Sequence, residues 1–190
     1  MQDLTPSDEQ LLERFRQPDT RESAFTQLMR KYQERLYWHV RKMVTFHEDA
    51  DDVLQNTFVK VWKALDNFRG EAQLYTWLYR IATNEALAHI KQRQRKGADQ
   101  SLDEEESTVS ERLKADDYFN GDEVDRLLQE AIDALPDKQR AVFTMRYYDA
   151  MKYEDMAAIL ETSVGGLKAN YHHAVKKVES YVKDRLNQAL

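Results

Sequence analysis

Tyr153-Glu-Asp-Met-Ala157-Ala-Ile-Leu160-Glu161-Thr-Ser163-Val164-Gly165-Gly166-Leu167-Lys168-Ala-Asn170-Tyr171-His172-His173 is the stretch on which the fold reading turns. A short apolar-periodic segment ends near Leu160, three polar residues follow, and a second periodic segment starts beside Ser163. Small Ala157 suits a close helix crossing, and Ser163 is placed to cap the second helix. The pattern reads as a helix–turn–helix whose second helix enters a major groove by its N-terminal end. Gly165 and Gly166 permit close backbone approach to phosphate. Lys168, Asn170, His172, His173, Lys176 and Lys177 remain for phosphates and base edges. The plainer reading of the same pattern is any helical hairpin with a polar outer face. Ser163 to Lys183 holds four Lys and one Glu, a basic face in a chain of net charge −6, and this favours nucleic acid.

Outward from this motif the chain reads as helical throughout. Val124 to Leu135 stops ahead of Pro136, and Lys138 to Tyr148 follows it. The last pattern runs from Ser163 to about Asn187. On the N-terminal side, Phe25, Leu28, Met29, Tyr32, Leu36, Val40 and Val44 recur at three- and four-residue steps as one apolar stripe. A further pattern spans about Glu48 to Asn67, with Leu54, Phe58, Val61 and Leu65 inward, and another spans Gln73 to Lys96. Ser7-x-x-Gln10, Asp19-x-x-Glu22 and Thr45-x-x-Glu48 have capping-box spacing at three helix starts. Five Gly and three Pro in 190 residues are too few for a turn-dense β architecture. The expectation is an all-α fold of two small helical domains, residues 1–97 (four helices) and 123–190 (helix–turn–helix), joined by a linker at 98–122.

The charge is unevenly placed. Residues 1–97 carry a net +2, residues 98–122 a net −7 and residues 123–190 a net −1. The acidic excess therefore belongs to the linker, around Asp103-Glu104-Glu105-Glu106, where like charges extend a chain. Without Cys there is no disulfide framework, thiolate metal site or cysteine nucleophile. No apolar run approaches the length of a membrane span, and Met1 to Pro6 lacks the features of a signal peptide, so a soluble, cytoplasmic protein is expected.

A second candidate nucleic-acid surface lies on the Gln73–Lys96 helix. Arg80, Asn84, Lys91 and Arg95 fall within about 60° of one another at roughly 100° per residue. Phe68, Arg69, Tyr75, Thr76, Trp77 and Tyr79 precede or open this stripe. Aromatics beside a basic stripe suit unpaired bases, which need stacking and phosphate neutralisation together. Trp77 is expected in the core and the stripe outside it. His47, Glu48, Asp49, Asp51 and Asp52 invite a metal reading, but acids in a first helical turn complement the dipole. Adjacent His172 and His173 point about 100° apart, unlike an i, i+4 metal pair. No catalytic constellation, metal site or cofactor is expected.

Two stretches together carry a family resemblance. Asp49 to Gly70, with Gln55, Phe58, Trp62 and Phe68, followed by Thr76-Trp-Leu-Tyr-Arg80-Ile-Ala-Thr-Asn84, resembles domain two of bacterial sigma factors of the extracytoplasmic-function (ECF) group. Leu135 to Phe143 and Tyr153-Glu-Asp-Met-Ala157, then Val164-Gly165, resemble domain four. The resemblance spans about 10–95 and 123–185. It implies an alternative sigma factor, a binding module without catalysis, that takes core RNA polymerase to promoters. Its implied partners are the clamp and flap of the two large polymerase subunits, promoter DNA, and an anti-sigma factor, with no membrane insertion.

The resemblance also implies residue roles. Asp52, Gln55, Asn56 and Val59 form the face that docks on the polymerase clamp. Phe68, Arg69, Tyr75, Thr76, Tyr79, Arg80, Asn84, Lys91 and Arg95 meet the melted −10 element, with a flipped base near Tyr75, Tyr79 and Asn84. Ser163, Val164, Gly165, Gly166, Lys168, Asn170, His172, His173, Lys176 and Lys177 meet the −35 duplex, and the acidic linker threads the polymerase channel. Departures from the family pattern are Asn56 in place of an acid and Gly166 where Thr is common. Asn170, His173 and Val175 stand where basic residues are frequent. Glu161 stands where Gly is frequent, at a cost of about 1 kcal/mol if its φ is positive. Two other readings compete: a one-component regulator binding a palindrome as a dimer, which leaves the 49–84 pattern unexplained, and a nucleic-acid-processing enzyme, which needs an acidic cluster in a cleft.

Overall fold

Ser7 sets the first helix. Its hydroxyl accepts from the Gln10 amide at 3.3 Å while the Gln10 side chain accepts from the Ser7 amide at 2.9 Å, a complete capping box. The computed structural model describes residues 6–97 and 123–188, so the linker expectation at 98–122 lies outside the described residues. Helices α1 (Asp8–Phe15), α2 (Arg21–Val44), α3 (His47–Ala64) and α4 (Leu74–Gly97) form the first group. Helices α5 (Glu123–Asp133), α6 (Asp137–Tyr147), α7 (Tyr153–Leu160) and α8 (Val164–Gln188) form the second. There is no strand among the described residues.

The α2 stripe does what its period requires. Leu28, Tyr32, Leu36, Val40 and Val44 are buried, and α2 packs against α1, α3 and α4. Phe15 and Phe25 each meet Trp62 edge to face, at 5.3 and 4.9 Å, and each other tilted at 6.0 Å, and the Arg21 guanidinium covers Phe15 at 4.0 Å. The other two capping boxes do not form. Pro18–Thr20 is a 3₁₀ turn, so α2 begins at Arg21 without a side-chain cap. Thr45 is spent on ending α2, at φ 76°, and its hydroxyl bonds Asp133 instead; α3 begins after Phe46, again uncapped.

Ala131, Ile132, Leu135, Phe143, Ala174 and Val178 make a small core inside the second group. A larger core runs across both groups. Val142, Met145, Met151, Met156, Ile159 and Leu167 lie in the same buried cluster as Leu36, Val40, Leu78, Ala82 and Ala86. Helix α6 packs on α2 and α4, and α7 packs on α4. The two groups therefore share buried apolar surface, which periodicity alone did not indicate.

Candidate functional site

Three surfaces emerge from this packing. The first is the outer face of α3. Asp52, Gln55, Asn56 and Val59 are all exposed, with Val59 at 47%. Phe25 and Met29 of α2 stand opposite Leu54, Phe58 and Trp62 of α3, each set spaced by four residues. They leave a cleft of about 610 Å³ that also has Gln33, Asp51, Asp52, Gln55 and Val59 on its walls. An apolar floor with an acidic and amide rim is what a partner helix with apolar and basic side chains needs. Phe25, Met29 and Leu54 were legible as core residues; that they, like Trp62, are only partly buried comes from the gap between the helices.

Two of the acids at the start of α3, Asp49 and Asp51, make structural ion pairs. Asp49 reaches His89 at 3.3 Å and Arg93 at 3.2 Å, tying α3 to α4, and His47 pairs with Asp51 at 3.3 Å. Among the described residues no group of three His, Asp or Glu is placed to hold a metal ion.

The second surface is the loop before α4 and the exposed stripe along it. Gly70, at φ +74°, turns the loop in a conformation that other residues rarely adopt. Arg69, Asn84, Lys91 and Arg95 are exposed, Tyr75 and Arg80 half-buried, Phe68 and Thr76 buried. The core aromatic of this stretch is not the one expected. Trp77 is half-buried and lies against Phe68 at 5.3 Å, whereas Tyr79 is only 3% exposed. Tyr79 packs on the ring of His39 at 4.8 Å and of Tyr75 at 4.4 Å, and its hydroxyl donates to the Arg35 carbonyl at 3.4 Å. Burial, then the nearby Asp149 carboxylate, pushes the Tyr75 and Tyr79 phenols up.

The third surface is the helix–turn–helix, α7 and α8. Glu161 ends α7 in the left-handed region, φ 50° and ψ 43°, the conformation for which glycine is favoured. Ser163 caps α8, accepting from the Gly166 amide at 3.2 Å. Gly165 faces open space, while a Cβ on Gly166 would stand 3.2 Å from Ser163 Oγ and 3.3 Å from Thr162 Cγ2. Leu167, Ala174 and Val178 face inward. Ser163, Gly165, Lys168, His172, His173, Lys176 and Lys177 are exposed; Val164, Gly166 and Asn170 are half-buried. Thus the basic side of α8 is open, and Lys168 lies over the Tyr153 ring at 5.6 Å.

The second and third surfaces meet. Asn84 of α4 and Asn170 of α8 line one crevice of about 160 Å³, together with Glu161, and Arg80 lies 3.8 Å from Glu161. No residue pattern pointed to this juxtaposition.

Comparison with known proteins places the chain in one family. Residues 28–96 match Sigma-70 region 2 and residues 125–178 match Sigma-70 region 4. The chain is 32% identical over 189 residues to the RNA polymerase sigma-H factor of Pseudomonas aeruginosa, covering 96% of this chain and 97% of that one. It is 30% identical over 184 residues to the ECF RNA polymerase sigma-E factor of Escherichia coli, covering 93% and 95%. In fold it is similar to the sigma factor RpoE of Bartonella quintana, solved in complex with the anti-sigma factor NepR, at TM-score 0.65 and 22% identity over 84% of this chain and 96% of that one. Neither the one-component regulator nor the processing enzyme draws support from these relatives. The chain belongs to the extracytoplasmic-function group of RNA polymerase sigma factors, and it is an alternative sigma factor that directs transcription.

Proposed function

We propose that the three surfaces divide the work of promoter recognition, by binding and without catalysis. Residues 1–97 act as the unit that docks on core polymerase and meets the −10 element. Residues 123–190 act as the −35 unit, and 98–122 as the linker between them. Asp52, Gln55, Asn56 and Val59, with the apolar cleft behind them, receive the polymerase clamp. Phe68, Arg69, Tyr75, Thr76, Tyr79, Arg80, Asn84, Lys91 and Arg95 form the −10 surface. The α8 residues Ser163 to Lys177 form the −35 surface, with Lys168, Lys176 and Lys177 neutralising phosphates. An anti-sigma factor is a further proposed partner, since a solved sigma factor of similar fold is held by one.

The observation that carries the reading is the α2–α3 cleft, an apolar opening of about 610 Å³ whose walls include Asp52, Gln55 and Val59, three of the four residues that the family pattern assigns to the clamp. Val59→Glu tests it. The side chain is 47% exposed, so the variant keeps its fold. A carboxylate on the cleft's apolar wall should abolish promoter-directed transcription with core polymerase while leaving the helical circular dichroism intact. Full transcription by Val59→Glu contradicts the docking assignment.

A further inference from the structure

The chain carries six Met and no Cys, so the thioether is its only sulfur chemistry. Met43, Met145, Met151 and Met156 are shut in the core, at 0–3% exposure. Met29 is the one methionine among the described residues that is not buried. Its place follows from the α2 stripe. Leu28 and Tyr32 take the inward positions of that turn, and Met29 stands about 100° around the helix from Leu28. This sets it on the α3 side, between Phe25 and Gln33 at four-residue steps, on the wall of the α2–α3 cleft. Phe58 and Trp62 line the same cleft from α3, and an opening of about 610 Å³ admits small solutes to the sulfur.

These surroundings make the state of that sulfur matter. A thioether is apolar, flexible and polarizable, suited to a surface that must fit a partner's side chains. Its sulfoxide is polar and chiral. Water satisfies the sulfoxide oxygen while the cleft stands open, and a docked apolar side chain would strip that water away. Oxidation of Met29 is therefore tolerated by the free fold and weighs on docking. At the four buried methionines the chemistry is slower, because each thioether waits for local opening before an oxidant can reach it.

We propose that Met29 is an oxidation site in the polymerase-docking cleft, and that its conversion to the sulfoxide by a peroxide reversibly blocks docking. The Met29 sulfur attacks one oxygen of hydrogen peroxide, the O–O bond breaks and an S–O bond forms. The departing hydroxide takes the proton of the transferred oxygen and leaves as water, so the sulfur is oxidised and the peroxide reduced. Methionine sulfoxide reductases, one for each sulfur epimer, return the thioether. The proposal rests on the assignment of the cleft to polymerase made above.

The test treats the full chain with hydrogen peroxide and maps each added oxygen by peptide mass. Met29 should be oxidised ahead of Met43, Met145, Met151 and Met156. The oxidised chain should keep its helical circular dichroism and lose affinity for core polymerase about tenfold or more, the size expected of a polar group pressed into an apolar contact. Treatment with both reductases should restore it. Met29→Leu keeps every other methionine, so in that variant peroxide should leave affinity where it was, whatever the untreated value. Polymerase seated on the cleft should also shield Met29 from peroxide. Met29 oxidised no sooner than the buried four, an oxidised chain that loses its helices, or equal losses of affinity in wild type and Met29→Leu would each overturn the proposal. Shielding of Met29 by polymerase, with full affinity after oxidation, overturns the proposal alone and leaves the docking assignment standing. Met29 oxidised as fast in the complex as in the free chain means that polymerase does not cover the cleft, and the docking assignment then fails together with the proposal.

Discussion

Gly165→Ala and Gly166→Ala are adjacent, chemically identical changes for which the structure predicts different outcomes. Alanine in place of glycine in a helix contributes about 0.5–1 kcal/mol. At Gly165 a Cβ meets nothing within 4 Å, so that gain appears in full, or somewhat reduced in a first turn. At Gly166 the Cβ stands 3.2 Å from the Ser163 hydroxyl that caps α8. Displacing a cap costs about 0.5–2 kcal/mol, which sets against the helix gain a term of equal or larger size. In urea unfolding followed at 222 nm, Gly165→Ala should therefore be more stable than wild type by about 0.5–1 kcal/mol, a rise of about 2–4 °C per kcal/mol in Tm. Gly166→Ala should lie below Gly165→Ala by the cost of the displaced cap, about 0.5–2 kcal/mol. Duplex binding should move the other way for Gly165. If the backbone there approaches a phosphate, the new methyl group lowers −35 affinity about tenfold, or about 1.4 kcal/mol. Equal stabilities for the two variants would refute the steric argument, and a stabilised Gly165→Ala with unchanged duplex affinity would refute the close approach.

Phe15→Ala removes a fully buried ring from the contact with Phe25 and Trp62 and should cost about 3–5 kcal/mol in chemical denaturation. Arg140→Ala leaves Asp133 and the Met43 carbonyl buried without their cation, and should cost about 3–5 kcal/mol by the same measurement. Two carboxylates should act oppositely in acid. The hydrogen bond from Arg21 holds the Asp66 carboxyl below the usual range, so its stabilisation is present above about pH 4 and lost as pH falls through the lowered value; Asp66→Asn should flatten that limb of the stability curve. Burial raises the Asp133 carboxyl, so its contribution is full below about pH 4 and declines as pH rises, and Asp133→Asn should remove that decline. Lys168→Ala should weaken −35 duplex binding and reduce the slope of log affinity against log salt by about 1.

The helices were legible because each buries a stripe whose period survives in the sequence. The Tyr153–Leu160 helix was read to the residue, and the others to within two or three positions, since Phe25 to Val44 and Leu167 to Val182 repeat without interruption. Caps were less legible. Asp19-x-x-Glu22 and Thr45-x-x-Glu48 have the right spacing, but Asp19 lies inside the 3₁₀ turn that Pro18 starts, and Thr45 ends the preceding helix with its hydroxyl on Asp133. The exposed faces of α4 and α8 followed from polar residues at helical spacing, and that of α3 from the family resemblance. The seam between the groups did not. His39 and Asp149 are 110 positions apart, and Arg140 and Met43 are 97 apart, and no periodic signal links partners at such separations. Tyr79 illustrates the same point: on its own helix it looks like an exposed neighbour of Tyr75, and only the crossing of α2 buries it.

The central claim is that the α2–α3 face delivers this chain to polymerase. The direct measurement is gel filtration of the purified chain with bacterial core RNA polymerase, beside an Asp52→Ala/Gln55→Ala variant whose changes fall on exposed positions of α3. The account predicts stoichiometric co-elution of the wild-type chain and its loss in the folded variant. A variant that co-elutes as fully as wild type, or a wild-type chain that forms dimers and ignores polymerase, would contradict it.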